Sequence, residues 1–167
     1  IPFKQHRIAG SAIIPAVDYD LGRNGVAYFD RDTANYWVAG LPGVGNKGRI
    51  YRNDGVDIRL DSSEKESYYV SDFEKGEWLQ FSVEVLKKGT YNIKLELASD
   101  TANSKFGLHL INKVVATKIE VPEKSKTGKW QVQQINNMAL DAGQNVMRIY
   151  AEEGRFSFKS IRVLKIN

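Results

Sequence analysis

Apolar and polar residues alternate along most of the chain. Strict alternation runs from residue 78 to 85, where Leu79, Phe81 and Val83 share one side, and it resumes from Tyr91 after a Lys-Lys-Gly turn. A period of two residues is typical of a half-buried strand. Because a short glycine-containing turn joins the two segments, the pattern predicts that they pair as a β-hairpin.

Similar segments continue to the C-terminus, separated at intervals of roughly 8 to 15 residues by Gly, Pro, Asn or Asp. They span residues 106–110, 113–121, 131–138, 145–150 and 156–166. No stretch carries a convincing apolar stripe with helical spacing. Short strands with regular turns predict an all-β fold, an antiparallel β-sandwich.

Composition narrows the class of protein. The chain has 167 residues and is 42% apolar, so we expect a single domain. Its 24 Lys and Arg are mixed along the sequence with 20 Asp and Glu, and we therefore expect no binding to nucleic acid. The absence of cysteine excludes disulfides, a thiol nucleophile and a cysteine zinc site. No apolar stretch approaches the roughly 18 residues of a membrane span.

Two parts are expected along the chain. Residues 1–12 lack a strong period and are predicted to be a linker or strap from an upstream domain, whereas residues 13–167 form the β-sandwich. Since Ile1-Pro2-Phe3 is not a natural start, we take the chain to be a piece of a longer protein with any export signal upstream. The glycine-rich stretch 29–56 is predicted to be a long functional loop, and it contains Tyr36 and Trp37.

A series of short motifs in a fixed order carries a family resemblance. They include Gly76-Glu77-Trp78-Leu79, Gly89-Thr90-Tyr91, Leu97-Ala98-Ser99, Thr127-Gly128-Lys129-Trp130-Gln131 and Leu140-Asp141-Ala142-Gly143. In this order the chain from about Ile13 onward resembles carbohydrate-binding module family 6. The resemblance implies a jelly-roll sandwich of the galactose-binding-domain-like type.

The resemblance also implies a function. Modules of this family bind polysaccharides without chemistry and are attached to secreted bacterial glycoside hydrolases. We therefore expect a non-catalytic module that binds a polysaccharide or oligosaccharide, has a glycoside hydrolase catalytic domain as its partner in the same chain, and is secreted, periplasmic or on the cell surface.

The family's principal site lies among loops at one end of the sandwich, where two aromatic rings enclose a sugar and an acid and an asparagine fix its hydroxyls. Apolar sugar faces stack on aromatic rings, which explains this composition. The resemblance places the first ring at Trp130 and the acid at Asp54. Two positions depart from the family: Asp72 replaces the second ring and Ser157 replaces the asparagine. Tyr36 or Trp37 is a candidate for the missing ring.

The family's structural calcium has its ligands at positions occupied here by Pro15, Val17 and Lys159. Calcium needs six to eight oxygen ligands, and neither proline nor valine has a side-chain oxygen, while an ammonium repels the ion. We therefore predict that no metal or other cofactor is bound. We also predict that the Lys159 ammonium takes the ion's place and donates to the backbone carbonyls that would otherwise ligate the ion.

Two other interpretations remain open. The missing ring, amide and calcium ligands equally fit a structural spacer that packs against the catalytic domain and no longer binds sugar. Exposure of Trp130, Tyr36 and Trp37 around a cleft would favour binding, and their burial would favour the spacer. An enzyme would need a pair of convergent carboxylates, for which Asp18 and Asp20 are among the candidates; in a loop-rich region such residues more often make turn hydrogen bonds, and we predict no catalysis.

Overall fold

A computed structural model describes residues 1–32, 50–52, 54–111, 113–124 and 129–167. These residues form strands joined by turns, with one 3₁₀ turn at Ala16–Asp18. The strands are β1 (His6–Ile8), β2 (Ser11–Pro15), β3 (Tyr28–Phe29), β4 (Ile58–Leu60), β5 (Tyr68–Glu74), β6 (Trp78–Val85), β7 (Gly89–Ala98), β8 (Lys105–Leu110), β9 (Lys113–Glu120), β10 (Gln131–Leu140), β11 (Gly143–Glu153) and β12 (Arg155–Lys165). In the part of the chain so described, no helix is long and apolar enough to cross a membrane.

The strands form two sheets that pack face to face. The first sheet has the order β1-β6-β11-β8-β9, with β3 also paired to β6, and the second has the order β10-β7-β12-β5-β4, with β2 also paired to β12. The pairings are antiparallel apart from that of β1 with β6. The predicted all-β sandwich is confirmed.

The core lies between the sheets and follows the alternation of the sequence. In β6 the residues Leu79 and Phe81 are each 1% exposed, and in β7 Ile93 and Leu95 are completely buried. Their intervening neighbours point outward and are only half-buried. Burial of one side of each strand is the principal source of the stability of such a fold.

The predicted hairpin of the segments before and after Lys87-Lys88-Gly89 is wrong. Strand β6 pairs with β11 in the first sheet, whereas β7 pairs with β10 and β12 in the second. The turn therefore carries the chain from one sheet to the other, and the apolar sides of β6 and β7 face each other across the core. Alternation identifies the buried side of a strand but does not identify its hydrogen-bonded neighbour.

The N-terminal segment contributes strands to both sheets. Within the predicted strap 1–12, β1 pairs with β6 through His6 and Val83, and Ile8 is completely buried. Strand β2 crosses the predicted boundary at residue 13 and pairs with β12. This segment therefore packs as part of the sandwich, and its role as a link to an upstream domain stays a prediction.

One end of the second sheet brings several predicted site residues together. Trp130 directly precedes Gln131, the partner of Leu97 in β7, and Ser157 in β12 is the partner of the next β7 residue, Ala98. Trp130 and Ser157 therefore lie at the same end of the two strands that flank β7. Asp72 lies on β5, the strand on the other side of β12 at this end.

Candidate functional site

Trp130 is half-buried at the beginning of β10, and neighbouring side chains fix its indole ring. Its indole N–H donates a hydrogen bond of 2.7 Å to Oδ2 of Asp61, which follows β4. The ring of Tyr69 meets it edge to face, with centroids 5.1 Å apart and planes at 75°. Since the polar edge of the indole is already satisfied, its apolar surface is the part left for a ligand.

Two lysines lie close to this pair of rings. The ammonium of Lys129 is 3.7 Å from the centroid of Tyr69 and 4.9 Å from that of Trp130. The ammonium of Lys159 is 5.3 Å from the centroid of Trp130. Both distances to Trp130 lie within the range of cation–π attraction, so two ammonium groups attract the indole ring.

Lys159 is only 8% exposed and is the centre of an ionic cluster next to Trp130. Its ammonium donates to Asp61 at 3.1 Å and to Glu64 at 2.9 Å. Burial lowers the pKa of Lys159, but the hydrogen bonds to these two carboxylates outweigh it and raise the pKa above its usual range. The expectation that this ammonium donates to backbone carbonyls is wrong, because carboxylates are its partners.

Asp61 joins this cluster to Trp130. Burial raises the pKa of Asp61, but hydrogen bonds from Ser63, Trp130 and Lys159 outweigh it and hold the pKa well below its usual range. The carboxylate therefore stays ionised and accepts from the indole and the ammonium at once. Charge-assisted bonds of this kind are about twice as strong as neutral ones and fix geometry accordingly.

Asp72 lies where the family resemblance places a second aromatic ring, and its carboxylate is held by neighbouring cations. Arg59 donates to Oδ2 at 3.1 Å, and Arg155 donates to Oδ1 from across the sheet. The hydroxyl of Ser71 also donates to Oδ2. Asp72 adopts a left-handed backbone with φ of 54°, which is uncommon for a residue other than glycine.

Ser157 is half-buried on β12 between the positions of Trp130 and Asp72. Its register partner in β7 is Ala98, which is buried. A hydroxyl at this place supplies one donor and two acceptor lone pairs. The structure thus brings Trp130, Asp72 and Ser157 to one end of the second sheet.

Asp54 has its hydrogen bonds elsewhere. Its carboxylate accepts from the Tyr19 hydroxyl and, at 3.0 Å, from Nε of Arg52. The guanidinium of Arg52 also donates to the carbonyls of Tyr19 and Asp20 and stacks over the Tyr19 ring. Asp54 therefore braces the segment after the 3₁₀ turn rather than the surroundings of Trp130.

The remaining predicted site residues, Tyr36 and Trp37, lie outside the described residues. Four residues were missed by the sequence analysis: Asp61, Tyr69 and Lys129, which lie beside Trp130, and Arg155, which contacts Asp72. Of these, Lys129 stood within the recognised motif beside Trp130. The other three approach from strands or loops distant in the sequence, and no local pattern indicated them.

A model of carbohydrate-binding modules, family 35, matches residues 52–162. This match spans more than half of the chain and includes Asp61, Asp72, Trp130 and Ser157. The chain belongs to carbohydrate-binding module family 35. It is therefore a non-catalytic carbohydrate-binding module. A comparison with curated proteins finds no match.

Solved structures share the fold of the module. The C-terminal CBM6 of the marine laminarinase LamC from Zobellia galactanivorans has a TM-score of 0.63 and 18% identity, covering 93% of this chain and 99% of that one. The module CBM6cm-2 of Cellvibrio mixtus lichenase 5A, in complex with cellotriose, has a TM-score of 0.64 and 19% identity, with coverage of 93% and 98%. The resemblance to family 6 is thus confirmed at the level of the β-sandwich that families 6 and 35 share.

A third structure shows this fold within a larger enzyme. The GH26-CBM35 β-(1,4)-mannanase of Podospora anserina has a TM-score of 0.59 and 15% identity, with coverage of 95% of the module but 28% of that chain. The module thus spans about a quarter of the mannanase chain. All three identities are low, and the likeness shows the fold alone.

The positions expected to hold calcium do not fit that ion in the module. Pro15 is paired with Ser160 in the ladder, Val17 is 2% exposed, and the Lys159 ammonium is engaged with carboxylates. Among the described residues, no group of three or more His, Cys, Asp or Glu side chains is arranged to hold a metal. The side chains of Pro15, Val17 and Lys159 are therefore unsuited to bind a hard cation that takes oxygen ligands.

The carboxylates considered for acid–base chemistry have structural partners. Asp18 accepts from the Tyr51 hydroxyl and pairs with Lys4 at 3.2 Å. Asp20 accepts from the backbone N–H and the hydroxyl of Ser82 at 2.9 and 2.6 Å. Both residues are buried, in keeping with a module that performs no catalysis.

A separate pair of buried acids lies near the end of the first sheet. Burial raises the pKa of Asp30 to about 8, and the carboxylate of Glu77 adds to this effect. Burial also raises the pKa of Glu77 to about 7, although backbone N–H groups of Glu74 and Arg31 donate to it. Both groups therefore keep their protons at pH values where an exposed carboxyl has lost its own.

Proposed function

We propose that the module binds a polysaccharide at a loop-end site centred on Trp130, and that Ser157 and Asp72 with its arginine partners orient the sugar hydroxyls. The fixed indole is the observation that carries this proposal. Its N–H is bonded to Asp61 and its ring is braced by Tyr69, so binding needs no further ordering of this side chain. A preorganised aromatic platform lowers the entropic cost of holding a sugar.

The polar surroundings favour hydroxyl recognition beside the ring. Arg59 and Arg155 are about half exposed, at 51% and 53% of their side chains, while the carboxylate between them is 18% exposed. The exposed parts of both guanidinium groups therefore offer further N–H donors to solvent. Weak affinity is expected, because one ring and a few solvent-competed hydrogen bonds must offset the ordering of a glycan.

The spacer is the alternative, and one observation favours it. The position of the expected second aromatic ring holds Asp72, which forms ion pairs with two arginines. A sugar at this place would therefore stack on one aromatic ring rather than between two. In the spacer the same end of the second sheet would pack against a catalytic domain, with Trp130 buried in that contact. Asp54 has no part in the proposed site, because it braces Arg52 and Tyr19.

We further propose that the module functions without calcium, as the Lys159 cluster occupies the place of the ion's ligands. Its setting is a secreted, periplasmic or cell-surface glycoside hydrolase, in which it holds the polysaccharide near a catalytic domain of the same chain. The proposed secretion and the proposed catalytic domain are inferred from the family. The sequence of the complete protein tests both, since it should contain an export signal and a glycoside hydrolase domain.

The experiment is affinity electrophoresis of the module in gels that contain xylan, laminarin, mixed-linkage β-glucan, mannan or galactan. We expect retardation by one class of glycan, and we expect Trp130→Ala to remove it. Trp130→Phe should keep part of the retardation, since it keeps an apolar ring but loses the hydrogen bond to Asp61.

Trp78→Ala is the matched control, since Trp78 is a half-buried tryptophan on the first sheet. It should migrate as the wild type does in each gel. Circular dichroism would establish that the variants are folded. Absence of retardation by any glycan would overturn the binding proposal in favour of the spacer, and unchanged retardation of Trp130→Ala would place the site elsewhere.

A further inference from the structure

A cavity opens on the outer face of the first sheet, whereas Trp130 belongs to the second. Its volume is about 270 Å³, close to the lower end of the range of roughly 300 to 1,000 Å³ typical of small-molecule sites. His109 of β8, Val114 of β9 and Arg148 of β11 line it and are register partners in one row across three neighbouring strands. Side chains opposite each other in such a row stand about 5 Å apart, so one small ligand can contact all three.

The guanidinium of Arg148 is held in place but keeps most of its donors. Its Nε donates to Oε1 of Gln80 at 2.9 Å, and its central carbon lies 4.2 Å from the centroid of the Trp78 ring. Among the described residues, no other group accepts from this guanidinium and no carboxylate oxygen lies within 4.0 Å of it. Its two terminal nitrogens can therefore pair with both oxygens of a ligand's carboxylate.

Lys113 and Tyr150 add two donors to the same cavity. In the described part of the chain, neither the Lys113 ammonium nor the Tyr150 hydroxyl has a hydrogen-bond partner within 3.5 Å. The His109 ring lies against that of Tyr150, with centroids 4.4 Å apart and planes at 37°. The cavity thus combines cationic donors with the surface of two adjacent rings.

The charge of the wall favours an anionic ligand. Of the lining residues that the structure describes, none is acidic. Glu152, on the same strand as Arg148, accepts from the Thr117 hydroxyl at 2.7 Å and from the backbone N–H of Lys118. Lys113 and Arg148 therefore face the cavity without a carboxylate in its wall, and an anion would gain net attraction there.

The rest of the wall is apolar and restricts the kind of anion. Ile111 is 62% exposed and Val114 is 57% exposed, and both line the cavity together with Leu110. A small hydrated anion would leave this apolar surface in contact with water, whereas an anion with an apolar body would bury it. A flat aromatic body would also stack on the rings of His109 and Tyr150.

We propose that this cavity binds a small aromatic carboxylate. The carboxylate pairs with Arg148 and Lys113. The aromatic body lies against the rings of His109 and Tyr150. This site is independent of glycan binding, because none of its residues belongs to the Trp130 site and its ligand is recognised by charge.

The test is a titration of the ¹⁵N-labelled module with cinnamate at pH 7, followed by the shifts of its backbone amides in NMR spectra. We expect saturable shifts confined to β8, β11 and the beginning of β9, with a dissociation constant of about 1 mM, as is usual for so small a ligand. Cinnamamide keeps the ring without the charge, and acetate keeps the charge without the ring. Each should bind at least about fivefold more weakly than cinnamate, and added salt should weaken the binding of cinnamate.

Two variants test the cations, each with a matched control. Arg148→Gln should weaken cinnamate binding about tenfold, the loss expected for hydrogen bonds to a charged group, and Arg23→Gln, at an exposed arginine outside the cavity, should bind as the wild type does. Lys113→Gln should weaken it about threefold, because an exposed ion pair contributes less. Lys118→Gln, at an exposed lysine of the same strand outside the cavity, should leave it unchanged. The spectrum of each variant also establishes that it is folded.

Several outcomes would overturn the proposal. Absence of shifts in β8 and β11, or unchanged affinity in Arg148→Gln, would show that the carboxylate does not bind in this cavity. Equal affinity for acetate and cinnamate would reduce the site to an unselective anion contact. Equal affinity for cinnamamide and cinnamate would show that the charge of the ligand is not recognised.

Discussion

Two parts of the module bury charged groups, and they do so with opposite electrostatics. The lysine centre, formed by Lys159, Asp61 and Glu64, places an ammonium between two carboxylates. The acid pair, formed by Asp30 and Glu77, brings two carboxyl groups together. In the lysine centre the carboxylate of Asp61 is held ionised. In the acid pair the pKa of Asp30 rises to about 8 and that of Glu77 to about 7.

The comparison shows how one fold accommodates buried charge in two ways. A buried ion that has a partner of opposite charge keeps its charge and fixes geometry, whereas a buried carboxyl beside another avoids the cost by holding its proton. The lysine centre therefore supports Trp130 with a permanent charge. The acid pair instead makes the stability of the module depend on pH.

The largest effect is expected from Lys159→Met, which breaks the lysine centre. It leaves the buried carboxylate of Asp61 with only neutral hydrogen-bond donors, and loss of one partner of a buried pair costs about 3 kcal/mol. Urea denaturation at pH 7 should show this loss in the free energy of unfolding.

Two further variants sharpen this result. Lys88→Met removes a lysine from the pair with Asp141, in which both side chains are about four-fifths exposed, and it should leave the midpoint unchanged. Lys159→Met combined with Asp61→Asn should recover part of the loss, because the carboxylate of the centre that keeps its charge, Glu64, is 58% exposed to solvent. An equal loss in Lys88→Met and Lys159→Met would contradict the account of the lysine centre.

The acid pair should make the module less stable as the pH rises. Above a pH of about 4 the unfolded chain has lost the protons of Asp30 and Glu77, but the folded module keeps them up to about pH 7 to 8. The folded state thus binds more protons, and the free energy of unfolding falls between these values. Asp61 acts oppositely, since its depressed pKa gives stability that is lost as the pH falls below about 4.

Asp30→Asn tests this dependence. The variant has no proton to lose at position 30, so the fall in the free energy of unfolding from pH 6 to pH 8 should be smaller by about 2 kcal/mol. Urea denaturation across this range measures it. Asp141→Asn, at an exposed aspartate, is the control and should follow the wild type. Parallel curves for Asp30→Asn and the wild type would show that Asp30 ionises normally in the folded state.

The same contrast explains which parts of the molecule the sequence could predict. Alternation in β6 and β7 identified the buried residues and the sandwich, because burial depends on local periodicity. It failed for the pairing of those strands, since either partner would bury the same side. Both buried clusters depend on contacts between distant residues, such as Lys159 with Asp61, which lie 98 positions apart.

The candidate site divides in the same way. Trp130 was predicted because it stands in a local motif, and the structure places it beside Ser157 and Asp72. The hydrogen bond that orients it comes from Asp61, which is 69 positions away. Likewise, the aspartate at position 72 was visible in the sequence, but its ion pairs with Arg59 and Arg155 depend on the arrangement of strands.

A smaller effect is expected at the connection between the lysine centre and Trp130. Asp61→Asn keeps a carbonyl that can accept from the indole but removes the charge, so affinity for the glycan that retards the wild type should fall about threefold to fivefold. Ser63→Ala is the control: it removes the hydroxyl that donates to Oδ1 of Asp61, while the indole binds Oδ2. Affinity electrophoresis should show the wild-type value for Ser63→Ala. An equal loss of affinity in Asp61→Asn and Ser63→Ala would show that the orientation of Trp130 does not depend on the charge of Asp61.

The smallest effect is expected from calcium, because we propose that the Lys159 ammonium takes the place of the family's ion. A calcium ion present at 1,000 times its dissociation constant would stabilise the module by about 4 kcal/mol and raise the Tm by roughly 10 °C. We expect the Tm to be the same in excess calcium and in chelator, since neither Pro15 nor Val17 has a side-chain oxygen and Lys159 repels the ion. Thermal unfolding followed by tryptophan fluorescence measures both conditions. A rise in the Tm of the wild type with calcium, absent in Lys159→Met, would mean that the lysine centre supports an ion rather than replacing it.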